Sequence, residues 1–308
     1  MQANPHNPVA RLGALGAMTN TIDIRRALKE AMARLDEARV PSHSLAAELL
    51  LMHTLGRDRA WIYAHPEAAL DPAAAARFFE LVAQRSSGVP TQYLTGTQEF
   101  WGLEYEVTPA VLIPRPETEH VIEVALERLG AARKNEPLRI ADVGTGSGCV
   151  AVALASEFSR AEIFATDISA AALEVARRNA ARHGFADRIH FTETNLLDAF
   201  ATETRRFDLV VSNPPYVPLH EAPQLQREVR AHEPEIAFFA GEDGLAVYGP
   251  LIPAAAAALH SGGMLILELG HDSLSAVRTV IENSAAWADV RVTNDLAGIP
   301  RVISVSRQ

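Results

Sequence analysis

The chain is predicted to be an α/β protein in which a doubly wound, mostly parallel sheet follows a small helical domain. From about residue 138 onward, short apolar runs alternate with segments of helical spacing, which is typical of parallel strands joined by crossover helices. Before about residue 90, apolar residues recur at helical spacing alone. The 308 residues are enough for two domains, or for one large domain with an appendage.

The first predicted domain covers residues 21–90 and contains four short amphipathic helices, while residues 1–20 are expected to be a loose tail. The predicted helices begin at Ile24, after Ser42 or Ser44, at Ala60, and at Pro72 with Asp71 as its N-cap. No catalytic cluster falls in this stretch. It is therefore either a packing appendage or a partner-binding module, and we favour a substrate-recognition role.

Residues 91–116 are predicted to form a β-hairpin linker, because aromatic and β-branched residues lie among glycines there. Arg115 lies between two prolines near the end of the linker, and the prolines stiffen the backbone. This position favours a specific role for Arg115 over that of a plain surface charge. A helix is predicted to begin at Glu117 or Thr118.

Residues 117–308 are predicted to form the α/β domain, since each apolar run is short enough for one strand and is bounded by helical or turn signals. The predicted strands cover residues 138–142, 163–166, 189–192, 207–211 and 264–269, with further strands near Val290 and Val302. The predicted helices cover residues 149–155, 171–182 and 245–259, and another begins at Ser273.

A glycine-rich loop after the first of these strands is predicted to bind a ligand. It consists of Asp142, Val143, Gly144, Thr145, Gly146, Ser147 and Gly148. Backbone without Cβ atoms lets a ligand approach closely, and the following helix exposes free N–H groups. Asp167 ends the next strand, where a carboxylate can hold both hydroxyls of a ribose. The loop and the acid together indicate an adenosine-containing ligand.

The spacing of the loop favours S-adenosyl-L-methionine among such ligands. Nicotinamide dinucleotide sites carry Gly-x-Gly-x-x-Gly, whereas this loop carries Gly-x-Gly-x-Gly. Asp142 precedes the first glycine by two residues and suits a cationic ligand better than a pyrophosphate, and S-adenosyl-L-methionine has an ammonium and a sulfonium. The loop also lacks the lysine of ATP-binding P-loops.

A proline-stiffened segment, Asn213-Pro214-Pro215-Tyr216, ends the predicted strand 207–211. The prolines cannot donate backbone hydrogen bonds and have a restricted φ, so the strand stops there. The segment presents an amide, carbonyls without competing N–H groups and an aromatic face where open α/β sheets bind ligands. An NH₂ group on a planar, conjugated carbon fits it, with Asn213 and a proline carbonyl accepting its two hydrogens. The alternative is a strand-ending turn with a buried tyrosine.

Charge and composition disfavour several classes of protein. A net charge of −10 argues against direct binding of nucleic acid, which needs a basic face. The single cysteine excludes a disulfide within the chain and fits a reducing, cytoplasmic compartment. The longest apolar run, residues 251–259, is far shorter than a membrane span, and no secretory signal is expected. The histidines lack paired ligand spacing, so no metal site is predicted.

The glycine-rich loop, Asp167 and the Asn213–Tyr216 segment together resemble class I methyltransferases that act on an amide or exocyclic amine. Five further motifs resemble the bacterial release-factor glutamine-N5 methyltransferase family, over a stretch from about Thr21 to the end. These motifs are FWGL at 100–103, LIPRPETE at 112–119, EPEIA at 233–237, GEDG at 241–244 and DLAG at 295–298. The resemblance implies a class I methyltransferase fold with a seven-stranded sheet and S-adenosyl-L-methionine as cofactor. It also implies class 1 peptide chain release factors as the protein substrate, methylated on the glutamine of their Gly-Gly-Gln motif.

The same resemblance implies roles for individual residues. The implied catalytic residues are Asn213, Pro214, Pro215 and Tyr216. The implied cofactor-binding residues are Asp142, Gly144, Thr145, Gly146, Ser147, Gly148, Asp167, Asn195, Leu196 and Asn213. The implied substrate-binding residues are Asn213, Pro214, Pro215, Tyr216 and Arg115. Asn195 stands where relatives commonly have an acidic residue, and its carbonyl accepts a hydrogen bond from adenine more weakly than a carboxylate would.

Three alternatives stay open from the sequence. A ribosomal-protein glutamine-N5 methyltransferase is the nearest, but its linker lacks the PRPETE motif that this chain carries. A DNA adenine-N6 methyltransferase is disfavoured by the acidic balance and by the lack of a basic recognition domain. A non-catalytic adaptor is disfavoured by the intact glycine-rich loop and Asn213.

Overall fold

The computed structural model describes residues 22–308, so the predicted tail lies outside the described residues. The chain divides into two compact units, with the boundary between Ser87 and Gly88. The finer division, with a separate linker from residue 91 to 116, stays a prediction. No helix within residues 22–308 is both long and apolar enough to cross a membrane.

The first unit contains the four helices that the sequence predicts. They are α1 (Ile24–Glu37), α2 (His43–Leu55), α3 (Arg59–Ala64) and α4 (Pro72–Ser87). Helices α1, α2 and α4 pack on one another. Ala27, Ala31 and Ala47 are fully buried, and such small side chains let helices approach closely.

Aspartates cap three of these helices. Asp23, Asp58 and Asp71 each accept a hydrogen bond from a backbone N–H of the first turn, at 2.8, 2.7 and 3.1 Å. The predicted Asp71 cap is therefore confirmed. Helix α2 begins after Ser42, but the backbone of Ser42 is left-handed and its side chain makes no capping hydrogen bond. Ser44, the other predicted cap, lies inside the helix.

The second unit begins with a short helix and a hairpin. These elements are α5 (Thr91–Thr95), β1 (Thr97–Phe100) and β2 (Leu103–Glu106). The hairpin is confirmed but is shorter than predicted, because the first residues of the stretch are helical. Trp101 and Gly102 form its turn with φ of 54° and 70°, and two left-handed residues make a turn that matches the twist of paired strands.

The remaining strands and helices alternate as predicted, with one unpredicted helix, α9. The strands are β3 (Arg139–Val143), β4 (Glu162–Asp167), β5 (Ile189–Glu193), β6 (Phe207–Ser212), β7 (Leu259–Glu268), β8 (Trp287–Asn294) and β9 (Pro300–Arg307). The helices are α6 (Glu119–Leu129), α7 (Cys149–Glu157), α8 (Ala170–Arg182), α9 (Arg227–His232), α10 (Tyr248–Ala258) and α11 (Leu274–Glu282). Short 3₁₀ turns lie at Pro116–Thr118, Ala131–Asn135, Asp198–Phe200, Leu219–Gln224 and Glu235–Ala237.

The seven strands form one sheet in the spatial order β5-β4-β3-β6-β7-β9-β8, which confirms the predicted fold class. The five strands β3 to β7 are parallel to one another. Strand β9 runs antiparallel to its two neighbours, β7 and β8. The chain fills the sheet outward from β3 to β5 and then returns to β6 on the other side of β3. Val143 therefore pairs with Thr166 on one side and with Ser212 on the other. Open α/β sheets bind ligands at such a reversal of strand order.

Helices cover both faces of this sheet. Ile140 and Val211 face one core, which contains buried residues of α6 and α7. Val210 and Leu267 face the other core, which contains buried residues of α10 and α11. Neighbouring residues of a strand point to opposite faces of the sheet. Because helices cover both faces, Val210 and Val211 are both buried, and the centre of the strand is apolar throughout.

Strand β7 starts at Leu259, earlier than the predicted start at Met264. Its pairing with β6 shifts between Phe207 and Leu209. A Cβ on Gly263 would lie 3.0 Å from the carbonyl oxygen of His260, so only glycine fits this irregularity without movement. Glycines are rare in strands, so the pair at 262–263 gave no indication of a strand before Met264.

Candidate active site

An open cavity lies at the carboxyl ends of β3, β4 and β6, and most of the predicted site residues line it. Those residues are Arg115, Asp142, Gly144, Thr145, Gly146, Ser147, Asp167, Asn195, Leu196, Asn213, Pro214 and Pro215. Their segments are far apart in the sequence, and the parallel sheet brings them to one edge. The sequence prediction therefore corresponds to one physical site, although the role of each residue stays a prediction.

The glycine-rich loop has a left-handed backbone at each of its glycines. Gly144, Gly146 and Gly148 have φ of 73°, 54° and 80°. A Cβ on either of the first two would meet nothing within 4 Å, whereas one on Gly148 would lie 3.2 Å from the Cα of Ala176 in α8. The first two glycines thus leave open space on the cavity side, and the third allows close packing of α7 on α8.

Asp142 is buried beneath this loop. Its Oδ2 accepts a hydrogen bond of 2.6 Å from the hydroxyl of Thr145. Burial raises the pKa of Asp142 to about 7, while the Thr145 hydroxyl and the Ala151 N–H act in the opposite direction. A positive charge bound in the cavity would favour the ionised carboxylate, which agrees with the predicted cationic ligand.

Asp167 lies at the end of β4, with each carboxylate oxygen held by a backbone N–H. Gly146 N donates to Oδ2 and Ser169 N donates to Oδ1, both at 2.9 Å. Burial raises the pKa of Asp167, and these two hydrogen bonds lower it. A carboxylate has about four lone-pair sites, so each oxygen can still accept from a ribose hydroxyl.

Asn195 and Leu196 follow β5 and line the cavity with one polar and one apolar side chain. The Asn195 side chain is exposed, and its Nδ2 lies 3.5 Å from Asp198 Oδ2. This contact leaves the Asn195 carbonyl free to accept from an adenine amino group. Leu196 has φ of 48°, an uncommon conformation for a residue with a Cβ. Ile168, which the sequence analysis missed, also lines the cavity with a half-exposed side chain.

Asn213 lines both this first cavity and a second one. The second cavity is also lined by Arg115, Tyr216, Val229 and Glu233. Asn213 Nδ2 donates a hydrogen bond of 3.0 Å to the hydroxyl of Thr118. The amide nitrogen therefore has its partner, and Oδ1 is available to accept a hydrogen from a bound molecule.

Two glycines make room for the Tyr216 end of the proline-stiffened segment. A Cβ on Gly270 would lie 2.6 Å from the Tyr216 ring, and a Cβ on Gly244 would lie 2.7 Å from the Tyr216 carbonyl oxygen. Burial raises the pKa of Tyr216 to about 12, so its phenol is neutral at physiological pH. Tyr216 thus supplies a tightly packed neutral ring rather than a base.

Arg115 lines both cavities and is paired with a buried carboxylate. Its Nη2 lies 2.5 Å from Glu233 Oε1, and Glu233 Oε2 accepts from the backbone N–H of Ile113 at 3.1 Å. These contacts tie the linker to the segment after α9. Glu233 belongs to the quoted EPEIA motif, but the sequence analysis did not include it among the site residues. Substrate binding by Arg115 stays a prediction.

Thr118 and Glu268 are two further residues near Asn213 that sequence reasoning did not include in the site. Both are buried, and Glu268 ends strand β7 beside the end of β6. Thr118 lies in the quoted LIPRPETE motif, and Glu268 is an acidic residue at the end of an apolar strand. An acid in such a position is expensive to bury, so the burial that the tertiary structure gives Glu268 indicates a function.

Ligand binding is expected to depend on the ionisation of Asp142. As the pH falls below about 7, the affinity for S-adenosyl-L-methionine should fall because the carboxyl gains its proton. The limiting slope is about tenfold per pH unit. Calorimetric titration of the cofactor across this range measures the effect. Asp142→Asn should bind more weakly and lose the slope, and exposed Asp272→Asn is the control. An unchanged slope in Asp142→Asn would show that another group is responsible.

Gly270→Ala is expected to lower kcat by about 10–100-fold, because the new methyl group displaces the Tyr216 ring and misplaces the reacting group. Steady-state kinetics of the purified variant measure this. Gly249→Ala is a matched control, since a Cβ there meets nothing within 4 Å. Equal kcat values for the two variants would contradict a role of Tyr216 packing in catalysis.

Comparison with solved structures agrees with the fold. The human Mettl16 catalytic domain, in complex with an MAT2A 3′UTR hairpin, aligns over 74% of this chain and 82% of that chain, with a TM-score of 0.54 and 17% identity. A Thermus thermophilus 16S rRNA N2 G1207 methyltransferase, in complex with AdoMet and guanosine, aligns over 69% of this chain and 50% of that chain. Its TM-score is 0.50, with 20% identity.

Comparison with sequences is more specific. The PrmC N-terminal domain model matches residues 26–96, and the methyltransferase small domain model matches residues 123–232. The release factor glutamine methyltransferase of Koribacter versatilis (strain Ellin345) is 43% identical over 280 residues, which are 91% of this chain and 97% of that protein. The protein of that name from Moorella thermoacetica is 43% identical over 285 residues, covering 92% and 99%. The chain therefore belongs to the release factor glutamine methyltransferase family.

Proposed function

We propose that this protein transfers a methyl group from S-adenosyl-L-methionine to the side-chain nitrogen N5 of a glutamine. The substrate is the glutamine of the Gly-Gly-Gln motif in class 1 peptide chain release factors. Family membership supports this activity. The observation that carries the proposal is the Asn213 amide, whose nitrogen is bound to Thr118 while its oxygen is left for a substrate N–H.

The residues of the first cavity fit the cofactor. Asp142 offers a buried carboxylate for a positive charge, Asp167 offers acceptors for two ribose hydroxyls, and Leu196 and Ile168 offer apolar contact for a ring. When bound, S-adenosyl-L-methionine supplies a methyl group activated by a positively charged sulfur. The two carboxyls lie on neighbouring strands, and Asp142 and Asp167 both line the same cavity.

The protein substrate enters through the second cavity in this scheme, because Asn213 lines both cavities. An amide nitrogen is a poor nucleophile, since its lone pair is delocalised into the carbonyl. Asn213 Oδ1 and the Pro214 carbonyl accept the two hydrogens of this nitrogen and favour its pyramidal, reactive form. Positioning of this kind supplies ~7–11 kcal/mol in well-oriented systems. Acceptors that stabilise positive charge on the nitrogen add to it.

No group needs to remove a proton before the nitrogen attacks. The nitrogen becomes acidic only as it bonds to the methyl group, so the proton leaves afterwards. Tyr216 does not serve as a base, because burial raises the pKa of its phenol to about 12 and keeps it protonated. The reaction therefore depends on orientation and charge stabilisation. A cytoplasmic location is part of the proposal, since release factors act in translation.

Mass spectrometry of a release factor incubated with this protein and labelled S-adenosyl-L-methionine tests the function. We expect one methyl group on the glutamine of the Gly-Gly-Gln motif. A release factor with asparagine in place of that glutamine is the control and should stay unlabelled. Labelling of a ribosomal protein or of DNA in parallel reactions, with none on the release factor, would refute the proposal.

Asn213→Ala is expected to lower kcat by about 10³-fold, because it removes an acceptor aimed at the reacting nitrogen. The affinity for the cofactor should change much less, since Asp142 and Asp167 still line the cavity. Turnover of the release factor and calorimetric titration of the cofactor measure the two effects separately. Arg278→Ala, on the exposed surface of α11, is the control. Equal losses of turnover and affinity would argue against this role.

A further inference from the structure

The carboxyl group of Glu268 is buried beside the reaction site without a full set of partners. Glu268 is 1% exposed, and the pairing of Ser212 with Leu267 places it next to the end of β6, where Asn213 begins the proline-stiffened segment. Among the described residues, its Oε2 has no hydrogen-bond partner. Buried polar atoms are rarely left in this state, so the position calls for a functional explanation.

The hydroxyl of Thr118 links this carboxyl to Asn213. Thr118 Oγ1 accepts the 3.0 Å hydrogen bond from Asn213 Nδ2. The same hydroxyl lowers the pKa of the Glu268 carboxyl and so favours its ionised form. A hydroxyl has one hydrogen to donate, and an ionised carboxylate can only accept. The Thr118 proton is therefore directed to Glu268, and only a lone pair of Thr118 is left for Asn213.

This arrangement decides which way the Asn213 amide faces. The oxygen and nitrogen ends of an amide have nearly the same shape, so packing alone does not separate the two orientations. A lone pair on Thr118 can bind Nδ2 but not Oδ1. Oδ1 must then face the cavities, where the proposed reaction needs an acceptor. The reversed amide would present N–H donors to the substrate NH₂ group and could not orient it.

We propose that Glu268 and Thr118 are positioning residues that lock the Asn213 amide with its oxygen toward the substrate. The inference rests on the proposed methyl transfer to a side-chain amide. Neither residue touches the reacting atoms in this scheme, and both act through Asn213.

The charges around Glu268 make the lock sensitive to pH. Burial raises the pKa of Glu268 to about 7, and Glu117 acts in the same direction. Arg301 on β9 and Arg115 before α6 act in the opposite direction and favour the ionised carboxylate. Two tyrosines face it, Tyr216 and Tyr248 of α10, and burial raises the pKa of both phenols, so they stay neutral. Below pH 7 the carboxyl gains a proton and can donate to Thr118, which frees the Thr118 hydrogen to bind Asn213 Oδ1.

The test compares Thr118→Val, Thr118→Ser and Glu268→Gln, using methylation of a release factor with saturating cofactor. Thr118→Val and Glu268→Gln should each lower kcat by about 10–100-fold, the usual effect of losing one buried hydrogen bond. Their KM for the release factor and their affinity for the cofactor should stay within about twofold of wild type. Neither substitution removes a contact that holds the substrate equally in the ground state and the transition state. Thr118→Ser keeps the hydroxyl and should retain most of the activity.

Two further measurements separate positioning from a merely structural role. The wild-type kcat should rise with pH up to about 7, and Glu268→Gln should lose this limb. Saturating cofactor holds Asp142 ionised, so its own titration does not contribute. The kcat of the double variant, Thr118→Val with Glu268→Gln, should be no lower than that of the less active single variant, because the two residues act in one chain of contacts. If Glu268→Gln does not fold, Thr118→Val against Thr118→Ser still decides the question.

Different results would overturn the positioning role of Thr118 and Glu268 and the proposed methylation activity. Wild-type kcat in Thr118→Val, or equal losses in Thr118→Ser and Thr118→Val, overturns the positioning role while the methylation activity stands. A wild-type protein that leaves the glutamine unmethylated overturns the proposed function and this inference with it.

Discussion

The parallel pairing of β3 with β6 is the constraint on which the site depends. It places Val143 opposite Ser212, so the glycine-rich loop and the proline-stiffened segment emerge side by side. The chain must pass through β4 and β5 before it returns to β6, and this return creates the reversal of strand order. Two segments that are distant in sequence thereby form the two walls of one cavity. The helices on both faces hold the strands in this register.

Two buried carboxyl groups lower the stability of the fold: Asp142 lines the cavity, and Glu268 lies beside the end of β6. Burial raises the pKa of Asp142 and of Glu268 to about 7. Each group therefore holds its proton more tightly in the folded chain than in the unfolded chain. Their contribution to folding is most favourable at acidic pH and is lost as the pH rises through about 7. Residues that destabilise the fold at working pH are expected at functional sites.

Backbone and glycine geometry concentrate around the same region. The glycines of the loop and Leu196 have left-handed conformations, and Gly244 and Gly270 leave space for Tyr216. The two prolines prevent the segment from adjusting its φ angles. Together these features restrict the backbone and side chains near Asn213, which agrees with the proposed reaction, because that reaction depends on orientation more than on proton transfer.

The helices, strands and turns of the protein follow from the sequence, whereas the full set of residues around the site does not. Helix and strand periods, the Asp71 cap and the turn at Trp101 and Gly102 are short-range properties, so they could be predicted or recognised from neighbouring residues. The glycine-rich loop and the Asn213 segment carry their chemistry within a few residues. Thr118, Glu233 and Glu268 instead gain their partners only when strands and loops meet, and nothing local distinguishes them from a helix start or a surface acid. The sequence alone determined the fold class and marked the Asn213 segment as a candidate site, but only tertiary packing decided which buried groups surround Asn213, because burial and pairing depend on residues distant in the chain.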